Sequence, residues 1–292
     1  MVPAGEPRDL YRRGQEPIIK DAMVNSLVFS LTALLALVPA SILPYRRPEA
    51  HRDLLFWSLL AVAVAGPAAY SVAQFGTVWQ TGLANALWIS TAASAAIFTL
   101  LAAVTREAWR LSPLLLPYLC LLAVLAIILG GVPPRSGLTG APSAWLTVHI
   151  VVSVTTYALC TLAAVSSFAV VLQERALKRK QPGPMSRRLP PMADAERLEL
   201  GLLIAAELVL GGGILTGVAL QYLGSGQLLA FDHKTVLSLL AFATIGVLLV
   251  LHGLSGLRGQ RAARLVLLAY LLLTLAYPGV KFVTDVLIGG TS

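Results

Sequence analysis

The chain has 292 residues, 57% of them hydrophobic and only 12% charged, against about 25% charged in soluble domains. That excludes an ordinary water-soluble enzyme, and the net charge of +8, confined to short segments between apolar runs, reads as membrane orientation rather than as a nucleic-acid surface. Two cysteines, Cys120 and Cys160, lie inside apolar runs without CxxC, CxxCH or Cys/His spacing, so covalent haem attachment, thiol–disulfide exchange and structural zinc lack ligands.

Residues 1–22 are polar, with acids and bases balanced, and lack the pattern of a signal peptide. They read as a polar tail or a surface helix, with Met23, at the mouth of the first apolar run, as an alternative start. A helix needs about 20 apolar residues to cross a bilayer core of about 30 Å. Runs that meet this need are drawn at 23–43, 54–75, 84–105, 113–131, 145–172, 198–223, 233–256 and 263–287. The expected fold is all-α: a polytopic integral membrane helical bundle of eight spans, forming a single transmembrane domain over 23–287.

Charge on the connections sets the expected sidedness. The segment 44–53 carries Arg46, Arg47 and Arg52, and 106–112 carries Arg106 and Arg110. The long segment 173–197 reads QERALKRKQPGPMSRRLPPMADAER, and 257–264 carries Arg258, Arg261 and Arg264. The alternate connections, GTVWQTGL, GVPPRSGLTGAPSA and GSGQLLAFD, hold one arginine between them. Positive charge marks the cytoplasmic side, so the four basic connections are expected inside and both termini outside. The 173–197 segment reads as a solvated linker, with a docking site as the alternative.

Ionisable groups inside apolar spans are costly and so mark candidate sites. His149 opens a stripe with Ser153, Thr156, Tyr157, Cys160, Ala164 and Ser167, spaced on one helical face. Its alternatives are a packing histidine or a ligand pointing into the bundle. Asp232, His233 and Lys234 stand together at the mouth of the seventh span, where Asp232 suits an N-cap and Lys234 suits snorkelling. His149 and His233 fall at comparable depth, where two imidazoles can supply the axial pair for a haem iron or bind another metal, though a pair without a third ligand is weak for zinc. Lys281 lies near the same face and pairs in spacing with Asp285. Toward the other side, Glu207 precedes a GGG run and His252 falls within about one turn of the same depth. That spacing admits a Glu–His relay or a second ligand site; the alternative is a protonated Glu207 bonded to a backbone carbonyl.

Four blocks carry a family resemblance: AWLTVHIVVSVTTYALCTLAAVSSFAVVLQERALKRK, LPPMADAERL, HKTVLSLLAFATIGVLLVLHGLSGLRGQRAARL and LAYPGVKFVTDVL. In this order and spacing they resemble the cytochrome c assembly membrane proteins, and within them the CcsA/HemX-like proteins of the YpjD type, over 140–287. The resemblance implies a helical bundle of the bacterial cytoplasmic (inner) membrane that handles haem b beside other cytochrome c maturation proteins. By the same resemblance His149, in its WLxxH context, matches the first outer histidine. FDHK matches the end of the tryptophan-rich segment, with His233 standing where the family has proline. His252 falls near a membrane histidine, and Lys234 and Lys281 would meet haem propionates. The segment's tryptophans are absent, and YPGVKF replaces the second outer histidine. The expected role is therefore an accessory one rather than a complete haem synthetase. Two other classes stay open: a secondary transporter or proton-coupled carrier using Glu207, and a cofactor-free scaffold or regulator acting through 173–197. No nucleophile–base pair, phosphate loop or metal triad favours a hydrolase or transferase.

Overall fold

The structure is a computed structural model describing residues 7–47, 52–75, 79–80, 82–130, 137–138, 144–180, 183–226, 232–279 and 282–283, with side chains described from Ser26 onward except at 75, 79–80, 137–138, 224–225 and 277. Its helices are α1 (Pro7–Arg46), α2 (Leu54–Phe75), α3 (Leu83–Val104), α4 (Ser112–Leu129, entered through a 3₁₀ turn at Ala108–Leu111), α5 (Ala144–Lys178), α6 (Pro184–Arg188), α7 (Met192–Ser225), α8 (His233–Ser255) and α9 (Gln260–Thr274). Seven of the described helices are long and apolar enough to cross a membrane. The eighth expected span is α9, which runs into a π turn at Leu275–Gly279; beyond it only residues 282–283 are described. The molecule is a multi-pass, all-helical membrane bundle. Residues 7–22, expected as a tail or surface helix, are the first turns of α1.

The helices form two groups of four. In the first, α1 packs on α2, α2 on α3, α3 on α4 and α4 back on α1; in the second the circuit runs α5, α7, α8, α9 and back to α5. The groups join where α5 meets α3 and α4. The two halves thus share one connectivity, a symmetry that the amino-acid sequence did not display. Without a hydrophobic drive between helices in lipid, small residues set how closely such helices approach. At the α1–α2 crossing a methyl on Gly66 would lie 2.5 Å from Ala36 Cβ and 3.2 Å from the Ala33 carbonyl. Pro117 has no N–H to give the Pro113 carbonyl one turn earlier; the Tyr45 hydroxyl from α1 donates to that carbonyl at 2.6 Å instead.

The four basic connections gather at one end. Arg52 donates to the Thr105 carbonyl at 2.6 Å, tying the first to the second. Arg188 donates to the Tyr45 carbonyl at 3.3 Å and lies over the Tyr45 ring, tying the third to the first. Glu174 accepts from the Gln260 backbone N–H at 2.9 Å, tying the third to the fourth. At the far end two other connections meet in a short antiparallel ladder, β1 (Trp79–Gln80) with β2 (Gly137–Leu138).

The 173–197 segment differs from the expected linker. Helix α5 runs on to Lys178 and α7 starts at Met192, with α6 between them. The Gln173 amide donates to the carbonyls of Ser186 at 3.0 Å and Pro190 at 2.8 Å, and its carbonyl accepts from the Ser186 hydroxyl. One polar side chain thereby satisfies the backbone of a folded-back turn, and Leu189 is buried beneath it.

Candidate functional site

The polar stripe of α5 faces α7, and the two run antiparallel. A methyl on Gly213 would lie 3.3 Å from Val152, and one on Gly217 would lie 3.2 Å from Cε1 of His149. His149 Nδ1 is 3.0 Å from the Thr216 hydroxyl, which itself donates to the Gly213 carbonyl at 3.0 Å. A hydroxyl has one proton and a carbonyl only accepts. The Thr216 proton therefore goes to Gly213, and the proton between His149 and Thr216 belongs to Nδ1. Nε2 is left with its lone pair, the state in which imidazole binds metals. The bare backbone of Gly217 lets the ring lie against α7.

The same logic holds for His252. Its Nδ1 is 2.9 Å from the Leu257 carbonyl, which can only accept, so Nδ1 carries the proton and the lone pair of the neutral ring is on Nε2. A second partner that fixes the tautomer in this way is the usual support of a ligating histidine.

His233 is the first residue of α8 and is exposed, as are Asp232 and Lys234. Asp232 caps the helix by accepting from the Thr235 N–H at 2.8 Å. That hydrogen bond first, and the nearby Lys234 and His233 charges after it, hold the Asp232 carboxyl below the usual range. Helix α8 runs antiparallel to α7, with Gly246 against Glu207 and Phe242 against Gly211. Continued to its start, this register puts His233 level with Leu220, about 5 Å in depth from the His149–Gly217 contact at 1.5 Å per residue. In plan the two histidines belong to opposite corners, since α5 and α8 each pack on α7 and α9. Lys281 and Asp285 lie outside the described residues.

At the far end of the second group the described helix turns are less covered than at mid-helix. None of the described residues in 144–155 of α5, 214–223 of α7 or 233–240 of α8 is buried, whereas buried positions begin at Thr156 and Ala241. His149 and His233 both stand in these turns.

Glu207 lies at mid-helix in α7. Its Oε1 is 3.1 Å from where a methyl on Gly246 would be, and Oε2 is shut off from solvent without a hydrogen-bond partner. Buried Cys160 of α5 is among its neighbours. The expected Glu207–His252 pair is not formed. His252 lies six residues past Gly246, about 9 Å along the helix, and is engaged by Leu257.

Three features escaped the sequence reading. Glu199, buried at 5% exposure, lines a cleft at the basic end with Glu196, Leu203, Leu248, His252 and Arg258; it stands seven residues inside α7, whose start was expected at 198. Gln173 and Glu174 organise the basic end through the bonds described above. At the seam between the two groups Tyr118 of α4, Tyr157 of α5 and Tyr270 of α9 converge. The Tyr118 and Tyr270 hydroxyls are 2.5 Å apart, and Tyr270 donates to Tyr157 at 3.2 Å. The phenols were visible as residues, but only packing brings them together.

Comparison with known proteins widens the region of resemblance. A protein from Azospirillum brasilense, named "Uncharacterized 28.8 kDa protein in nifR3-like 5'region", is 54% identical over 271 residues, covering 91% of this chain and 100% of that protein. No solved structure matches the chain. The family model described as "Cytochrome C assembly protein" matches residues 51–288. This takes in α2, α3 and α4 as well as the second group, where the sequence blocks had pointed only to 140–287. On the strength of that match across most of its helices, the chain belongs to the cytochrome c assembly protein family.

Proposed function

We propose that the chain is a haem-handling accessory protein of cytochrome c assembly in the bacterial cytoplasmic membrane, of the YpjD type, and that it holds haem b at the far end of its second four-helix group. The observation that carries this reading is the state of His149. Thr216 keeps the proton on Nδ1, the ring lies against the bare backbone of Gly217, and none of the described residues in the surrounding turns is buried. An imidazole prepared in this way suits an axial position on a porphyrin iron. Haem, when bound, supplies the iron that such a nitrogen ligates.

The chain's own groups divide the remaining work. His233, at similar depth on the diagonally opposite helix α8, is the candidate second ligand. Lys234, exposed beside it, suits a propionate, as Lys281 would by its place in the sequence. His252, with its own free Nε2 at the basic end, is a candidate second station. Other maturation proteins are the natural recipients of the haem.

The test is a titration of haem into the detergent-purified protein, followed by visible absorbance. A saturable b-type spectrum is expected from the wild type, weakened in His149→Ala and in His233→Ala. A folded wild type that stays colourless and ignores added haem overturns the proposal.

A further inference from the structure

We propose that Glu207 is a proton-binding site at the centre of the second four-helix group, loaded from the basic end through the cleft lined by Glu199 and His252. The inference does not need haem at His149 and concerns a different depth of the bundle.

An isolated carboxylate deep in an apolar bundle is unfavourable unless a cation pairs with it. Around Glu207 there is none. From α5 it is faced by the Cys160 thiol, and from α8 by the bare backbone of Gly246. The nearest ionisable group on α8 is His252, about 9 Å nearer the basic end. On α9 the Tyr270 hydroxyl is occupied by Tyr118 and Tyr157. On α7 itself the next acid is Glu199. No Lys or Arg occurs in 149–172, 198–223, 235–255 or 265–279. Oε2 meanwhile has neither solvent nor a hydrogen-bond donor. A proton on the carboxyl removes the unpaired charge.

The route follows from where the cleft stops. Its wall includes Leu203 and Leu248. Leu203 is one helical turn, about 6 Å, from Glu207 on α7, and Leu248 is two residues from Gly246. In the other direction the stretch without buried residues begins seven residues along α7, about 10 Å away, with Leu210 and Phe242 packed between. The short way out leads to the basic end. In the loading step a hydrated proton in the cleft passes to the carboxylate, giving a neutral acid and releasing water; no other co-reactant is needed.

Dicyclohexylcarbodiimide, an apolar reagent that adds to protonated carboxyl groups, tests this on the full chain. The protein is placed in sealed vesicles of both orientations, with pH clamped separately on each side, and adducts are located by peptide mass spectrometry. Expected is an adduct on Glu207 whose yield falls severalfold as pH rises on the side of the basic connections and ignores pH on the far side. Gly246→Leu should lower the yield by displacing the carboxyl, while the protein still melts cooperatively. The proposal is overturned if Glu207 in folded wild-type protein takes no label, if labelling follows the far compartment, or if it ignores pH on both sides.

Discussion

Thr216 decides which nitrogen of His149 carries the proton: the hydroxyl lies 3.0 Å from Nδ1 and spends its own proton on the Gly213 carbonyl. Thr216→Val keeps the shape and removes the acceptor. Loss of such a partner typically costs 10–100-fold in metal affinity, and we expect haem affinity to weaken about that much. Spectrophotometric titration checks it. Unchanged affinity would mean that the tautomer does not matter to binding.

Asp232 is expected to act as a helix cap rather than as a ligand. Asp232→Ala should destabilise the start of α8 by about 0.5–2 kcal/mol, seen as faster amide exchange in its first turn, while haem affinity holds within a few fold. The pH dependence has a definite sign. The carboxyl is depressed in the folded state, so its contribution is fully present above the ordinary Asp value of about 3.9. It fades as pH falls through the lower folded value. Protection lost on moving from pH 7 to pH 5 would contradict this.

Gly66 sets the approach of α1 to α2. Gly66→Leu places atoms where Ala36 and the Ala33 backbone already stand. Overpacking of this kind costs about 1–3 kcal/mol, and a lower melting temperature in detergent should result. Equal stability would show that the crossing can open freely.

Tyr270 joins the two helix groups through its hydroxyl. Tyr270→Phe removes the 2.5 Å partner of the Tyr118 hydroxyl, and loss of one such hydrogen bond costs about 0.5–1.5 kcal/mol. The double variant Tyr118→Phe with Tyr270→Phe should be less damaged than the two single losses added together, as thermal melts in one detergent would reveal. Additive losses would argue against a shared bond.

Seven of the eight expected spans, the helix type and the gathering of basic connections at one end were legible in the linear chain. Insertion into a bilayer depends on the hydrophobicity of about 20 consecutive residues and on the charges beside them, both local properties. The boundaries failed where polar residues are satisfied by distant partners. Segment 173–197 is folded back because Gln173 reaches carbonyls up to 17 residues away, and Glu199 is buried because α7 begins early. The symmetry of the two halves, the opposite corners taken by His149 and His233, the separation of Glu207 from His252 and the choice of imidazole nitrogen came only from packing. His149 and Thr216 are 67 residues apart, and hydropathy and spacing hold no information about which side chain meets which across a helix seam.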